Sequence, residues 1–550
     1  MKIKFCGAAE GVTGSCHLVT VGEGEGALQF LLDCGMFQGG SSIEAHNEEP
    51  FPFDPEAVSF VLLSHAHIDH SGRLPLLYKR GFRGKIYCTD STSDLIGVML
   101  RDAAYIQEKE AEWKSRKAER AGRPPVEPLY TIPDAEDVLK LVSPVMYSQL
   151  VEPAPGVKFV MNDAGHIFGS AIIEVWTPEG EGSRKTVFSG DLGRGDKPML
   201  NDPTLIKKAD TVIMESTYGN RLHDKSDNVD KLVKIILETT KRGGNVVIPS
   251  FAVGRTQELI YELNKYFEDD PAFKAAMKNV SVYIDSPMAT AATEVFRKNA
   301  QAFDEEFKKR VLRGDDPLDF DNLHFTKSTA ESAALNEDNR PKIIISASGM
   351  CEAGRIRHHL KHNLWRHNSS IVFVGYQGEG TLGRRLLEGA ESVKLFGEEI
   401  AVNAQIHNLE GFSGHADRDE LLRWVKGFEV KPEALFIVHG ENQAKHDFAA
   451  TVEEATGIKP IVIEDVCEYE PEGARTQDEQ QVLSDIMDAE SLEKLKARIS
   501  TIKGSLEDLL YKAEMAATAE NDPAALADLN DKLLALEKDT IGLAGSVTER

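Results

Sequence analysis

"VLLSHAHIDHSG", residues 61–72, places three histidines and an aspartate within six positions directly after an apolar run. Histidine supplies only 16 of the 550 residues, so composition does not account for the cluster. An apolar run ending in Ser-His reads as a strand that opens into a loop. His65 and His67 are two apart, so extended chain points both the same way, while Asp69 and His70 in the next turn can face a second ion. A hydrolytic two-metal centre needs about three protein ligands per ion, a shared carboxylate and an open position for water. Suitable donors lie downstream. His166 stands in "DAGHIFGS" and Asp191 in "VFSGDLG" at the end of an apolar strand. Asp33, in "LLDCG", also ends a strand and could orient a ligand histidine from behind.

Composition narrows the setting. The formal charge of −26 argues against broad, nonspecific adhesion to nucleic acid or anionic membrane, although it leaves room for a local basic groove. The opening "MKIKFCGAAEGVTGSC" has no apolar core for a signal peptide, and no stretch approaches eighteen uninterrupted apolar residues. Six cysteines are scattered without a C-x-x-C pair, as expected of reduced thiols in a cytoplasmic protein.

The first 200 residues alternate short β-rich runs with Gly-rich turns, broken by a charged segment near 92–140 that reads as an exposed helix. From about 230 the rhythm becomes helix, strand, helix, strand, which predicts a parallel sheet covered on both faces. Near 400 the first style returns. One α/β domain interrupted by another is the simplest account. After 475, Leu492, Leu495, Ile499, Ile502, Leu506 and Leu509 follow a 3-4-3-4-3 spacing, and residues 476–550 carry 16 Asp/Glu against 8 Lys/Arg. An acidic helical hairpin or coiled coil fits, with packing or self-association as its role.

"HAHIDH", "GHIFGS" and "SGDLG" resemble the successive metal motifs of the metallo-β-lactamase fold. "VIMESTYG", "GFSGHAD" and "LFIVHGE", with "VVIPSFAVGRTQE", "ISASGMCEAGRIRHHL" and "GYQGEGTLGRR", resemble the β-CASP nucleases, nearest the cleavage-and-polyadenylation endonuclease and its bacterial ribonuclease relatives. The resemblance covers about residues 1–465. It implies an αββα sandwich in two parts (1–215 and 396–470) and an inserted β-CASP parallel-sheet domain (216–395); the helical tail (476–550), read from the leucine spacing, lies outside it. The resemblance further implies two Zn2+ per chain. His65, His67 and His166 would hold one, Asp69, His70 and His439 the other, and Asp191 would bridge them. Asp69, Glu215 and His415 are the expected catalytic residues, with His415 protonating the leaving oxygen and Glu215 keeping it protonated. A histidine at 439 goes with RNA-processing members of the family.

The expected activity is therefore zinc-dependent hydrolysis of single-stranded RNA, endonucleolytic in character. The rivals are a small-molecule metallohydrolase on the same scaffold and a noncatalytic RNA-binding subunit. "RIRHHLKHNLWRH" (355–367) concentrates basic residues, which predicts a phosphate-tracking groove containing Arg355, with Arg255 and Ser413 as weaker phosphate contacts. "GEGTLG" (378–383) matches a dinucleotide-binding pattern, but a lone match is weak evidence, and amides facing RNA phosphate explain it equally.

Overall fold

Each apolar run that precedes a motif histidine or aspartate forms a strand. The computed structural model describes residues 1–471 except Glu181, 224–227 and Glu379, together with Ile499, Lys503, Leu506, Leu510, Ala513, Leu526 and Leu533 in the tail. The chain divides into two units, Met1–Gln477 and Asp478–Arg550.

Within the first unit, one seven-stranded sheet runs in the order Cys467–Tyr469, Lys2–Phe5, His17–Val21, Leu28–Leu32, Val58–Leu62, Lys85–Thr89 and Val142–Val145. A second runs Ile461–Val462, Ala434–Ile437, Thr211–Met214, Gly182–Phe188, Ala171–Glu179, Val157–Asp163 and Val151–Ala154. Phe5, Phe30 and Phe60 from the first sheet share a core with Phe159, Phe188, Ile213 and Phe436 from the second. That interdigitation makes a sandwich and takes both apolar inner faces out of water. Ile132–Leu139 and the buried half of Asp90–Arg120 cover the outside of the first sheet, while Arg418–Val425 and Asn442–Thr456 cover the second. The result is the αββα layering that the resemblance implied.

A third sheet, in the order Leu323–Phe325, Ser281–Ile284, Lys342–Ser346, Val246–Pro249, Ser370–Phe373 and Gln405–Asn408, is parallel throughout. Its central strands Val246–Pro249 and Lys342–Ser346 are buried at every position, the signature of a sheet covered on both faces. The edge strand Gln405–Asn408 lies beyond the boundary at 395 expected for the inserted domain. A parallel edge strand can be reached only after a crossover, and the hairpin Ser392–Leu395/Glu398–Ala401 supplies part of it.

Parallel order also positions the site. Gly182–Phe188, Thr211–Met214 and Ala434–Ile437 are mutually parallel, so the residues that follow them emerge at one edge. Those segments lead to Asp191, Glu215 and His439. Two glycines bring the loops into contact. A Cβ at Gly193 would sit 1.8 Å from the Gly165 carbonyl oxygen, and one at Gly35 would sit 1.6 Å from that of Asp69. Side chains there would force the His166, Asp191 and Asp69 loops apart.

The described positions of the tail are all helical, in keeping with the leucine spacing. The expected hairpin or coiled-coil pairing lies outside the described residues. No helix among the described residues is long and apolar enough to cross a membrane.

Candidate metal and catalytic centre

Four donor atoms converge at the edge where the loops meet. His67 Nδ1 lies 3.1 Å from His65 Nε2 and 3.3 Å from His166 Nε2. Asp191 Oδ2 stands 3.6 Å from both His65 Nε2 and His166 Nε2. A tetrahedral zinc with bonds of about 2.0–2.1 Å holds its donors about 3.3–3.4 Å apart, so these spacings suit such an ion. Burial pushes His65 and His166 well below the ordinary histidine range and His67 down to about 4, leaving the rings neutral and their lone pairs free.

A second set adjoins the first. His70 Nε2 lies 3.2 Å from His439 Nε2 and 3.9 Å from Asp69 Oδ2, and His439 Nε2 lies 3.6 Å from Asp69 Oδ2. Asp191 turns its other oxygen here, with Oδ1 3.3 Å from His70 Nε2. One carboxylate thus offers an oxygen to each set. That Oδ1 is buried and has no well-aligned hydrogen-bond donor, which would be costly without a cation. Both sets could hold a metal ion. Burial opposes a charge on His70, but Asp191, Asp33 and Asp69 outweigh it and raise its pKa well above the ordinary range. A cation bound there would displace that proton.

Asp33 sits behind His70. Its Oδ2 accepts from His70 Nδ1 at 2.7 Å and from the Ser64 hydroxyl at 2.8 Å, while its Oδ1 accepts from the Ser64 amide at 2.7 Å. The carboxylate fixes the tautomer that leaves Nε2 available as a ligand. His439 is held differently. Its backbone lies in the left-handed region (φ 49°), its N–H donates to the Ala8 carbonyl at 2.9 Å, and Thr217 Oγ1 lies 3.2 Å from its Nδ1.

Beside the first set, His415 Nδ1 donates to Glu215 Oε1 at 3.1 Å, and the ring lies 4.4 Å from that of His166. Glu215 is buried and also accepts from the Leu192 amide at 2.6 Å and the Thr217 amide at 3.1 Å. Its oxygens are therefore committed to the protein, which favours orienting His415 over binding a metal. His415 keeps 21 % of its side chain exposed and stands 4.0 Å from Asp191 Oδ2. Burial disfavours charge on it, but Glu215 and Asp191 outweigh burial and raise its pKa.

Comparison with known proteins identifies three domains along the chain. Residues 23–215 match the metallo-beta-lactamase superfamily domain, residues 256–386 the Beta-Casp domain, and residues 399–463 the Zn-dependent metallo-hydrolase RNA specificity domain. Ribonuclease TTHA0252 of Thermus thermophilus is 38% identical over 444 residues, covering 80% of this chain and 94% of that protein. Transcription termination factor FttA of Methanocaldococcus jannaschii is 31% identical over 82% of this chain and 69% of its own length. Its counterpart in Thermococcus kodakarensis is 30% identical over 83% and 69%. The chain belongs to the β-CASP family of metallo-β-lactamase-fold hydrolases.

The residues expected to touch RNA in this β-CASP protein also have partners within the protein. Arg355 pairs with the buried Asp285 at 2.7 Å, and in the same helix His359 meets Asp285 at 2.5 Å and Lys361 pairs with Glu398 at 2.6 Å. Much of the basic run therefore serves the inserted domain itself. Arg255 is buried, pairs with Glu258 at 2.5 Å and lies 5.7 Å over the Phe412 ring. The Ser413 hydroxyl accepts from the His415 amide at 3.3 Å, so it shapes the loop that carries the acid candidate.

Sequence reading missed two contributors. His223 Nε2 donates to the His415 carbonyl at 2.8 Å, bracing that loop from an unrelated segment. Tyr218 lies 6.1 Å from the His415 ring, and Arg221 stacks 5.6 Å over Tyr218 and 5.7 Å over Tyr376. The "STYG" that follows Glu215 was the available signal for Tyr218; nothing local pointed to His223.

Proposed function

We propose that this protein is a two-zinc ribonuclease that cuts single-stranded RNA internally. The observation that carries the reading is the His415–Glu215 pair standing 4.0 Å from Asp191, the carboxylate common to both donor sets. A metal centre alone would suit any hydrolase of the fold, whereas an acid beside it suits an ester whose leaving group must be protonated. His65, His67, His166 and Asp191 would hold one zinc, and Asp69, His70, His439 and Asp191 the other. When bound, two such ions lower the pKa of water and neutralise the charge that gathers on phosphate.

The chain's own groups do the rest. Asp33 keeps the proton on His70 Nδ1, and Thr217 and the Ala8 carbonyl hold His439 in place. Glu215 favours the imidazolium of His415, whose Nε2 carries the proton to the departing sugar oxygen; in the reverse sense the neutral ring can accept one. Tyr218 and Tyr376, with Arg221 over both rings, offer stacking surfaces to bases near the cut. The named relatives, a ribonuclease and transcription termination factors, favour RNA as the substrate. We place the protein in the cytoplasm because its cysteines are free, five of the six being buried.

Matched end-labelled RNA and DNA, read at nucleotide resolution with and without chelator, test the proposal. Internal, chelator-sensitive products from RNA are expected. Hydrolysis of small esters with no RNA cleavage would replace the reading with a generic metallohydrolase.

A further inference from the structure

The helix Asp90–Arg120 begins against the loop that carries His166, where Thr89 Oγ1 and Thr92 Oγ1 donate to the Gly169 carbonyl at 2.7 and 2.8 Å. Its last buried residues are Ala104 and Ala111, and beyond them it runs out into solvent. At 1.5 Å per residue, Tyr105 to Lys117 occupy a stretch about 20–38 Å from Thr92. There Tyr105, Lys109, Trp113 and Lys117 recur every four residues, so they share one face. Tyr105 and Trp113 are 51% and 55% exposed. Lys109 Nζ lies 5.7 Å from the Tyr105 ring centroid, and Lys117 Nζ lies 3.5 Å from that of Trp113.

Charge accompanies the rings. Residues 109–123 hold six Lys/Arg and three Glu, a net of +3 in a chain at −26. Lys109, Lys114 and Arg116 pair with Glu112 or Glu110, whereas Lys117, Arg120 and Arg123 form no ion pair among the described residues. The returning chain is tied to the helix, since the Val126 amide donates to Ser115 Oγ at 2.8 Å and Ser115 Oγ donates to the Val126 carbonyl at 3.1 Å. The face is thus a braced row of alternating rings and cations with no core to fill.

We propose that the exposed half of this helix is an RNA-binding arm, on which single-stranded RNA flanking the cleavage site stacks its bases on Trp113 and Tyr105 while Lys117 and Arg120 track the phosphates. The inference rests on the ribonuclease reading. The 20–38 Å along the helix from Thr92 corresponds to about six to eleven stacked nucleotides at 3.4 Å each, so only longer substrates reach the arm.

Two labelled RNAs sharing one cleavage site, about 6 and about 30 nucleotides long, separate arm from centre. With the full chain, Trp113→Ala should raise KM for the long RNA at least about fivefold. Its kcat and all kinetics on the short RNA should stay unchanged. Replacing Lys117 and Arg120 together by Ala should flatten the slope of log affinity against log salt by about 1.4 for the long RNA alone. Equal effects on both lengths, or none on either, would overturn the arm. Unaltered RNA kinetics with a protein partner lost on Trp113→Ala would also overturn it, reassigning the face to that protein. Wild-type protein that cleaves neither RNA would overturn the ribonuclease reading, and the arm with it.

Discussion

Replacing His415 with alanine should leave both zinc ions in place and slow RNA cleavage by about 10²–10⁴-fold, or about 3–5 kcal/mol of transition-state stabilisation. The magnitude is that of a positioned acid. We expect the loss to be confined to that role, because His415 lies outside the two donor sets assigned to zinc and its Nδ1 stands 4.0 Å from Asp191 Oδ2. The ring's other contacts, 4.4 Å to His166 and 3.1 Å to Glu215, are packing and orientation. Single-turnover cleavage and zinc content measured on one preparation make the assay. The defect should shrink for a nitrophenyl phosphodiester, whose leaving group needs no proton. Glu215→Gln should act in the same direction more mildly. Because the carboxylate raises the His415 pKa, its loss lets the imidazolium deprotonate sooner, so the basic limb of the pH–rate profile moves to lower pH. Gln keeps one acceptor oxygen for the Leu192 and Thr217 amides, so a fold cost of about 1–3 kcal/mol accompanies the change. Full zinc with undiminished cleavage in His415→Ala would refute the assignment, and lost zinc would make His415 a ligand.

Asp191→Ala should strip both ions, since it alone offers an oxygen to each set, whereas His439→Ala should weaken one; elemental analysis after graded chelation distinguishes them. Asp33→Asn should weaken metal at the His70 site about 10–100-fold without removing a ligand, a change that isothermal titration with zinc would register. His17 is buried between the Phe5 and Phe188 rings, and burial pushes its pKa down to about 3. The unfolded chain therefore takes up a proton below about pH 6.5 that the folded chain refuses, and stability falls as pH drops through that window. His17→Phe should gain about 2 kcal/mol more at pH 5 than at pH 7.5, compared by denaturant titration; an equal gain at both would refute the protonation account. Truncation after residue 475 should leave RNA cleavage intact and lower the mass seen by light scattering; insoluble protein would mean that the tail completes the core.

The sequence by itself determined what depends on short range. His65, His67, Asp69 and His70 lie within eight residues of one strand end, so spacing alone brings them together, and Asp33, His166, Asp191 and Glu215 were legible because apolar strands of the two sheets end just before them. The parallel rhythm after residue 230 was equally local. Long-range packing decided the rest. The fate of a charge depends on what faces it. Arg355 reads as a phosphate contact in the sequence, and its ion pair with Asp285, seventy residues earlier in the chain, becomes visible only in the folded protein. His439 reaches its place because the Ala8 carbonyl, from the opposite end of the chain, accepts its N–H and holds a backbone conformation that no local pattern announces. His223 braces His415 across 192 residues, and Gln405–Asn408 joins the inserted sheet although its motif style matches the lactamase domain. Periodicity and strand ends are carried by neighbouring residues, whereas hydrogen-bond and ion-pair partners are chosen by distance in space, which only the folded chain supplies.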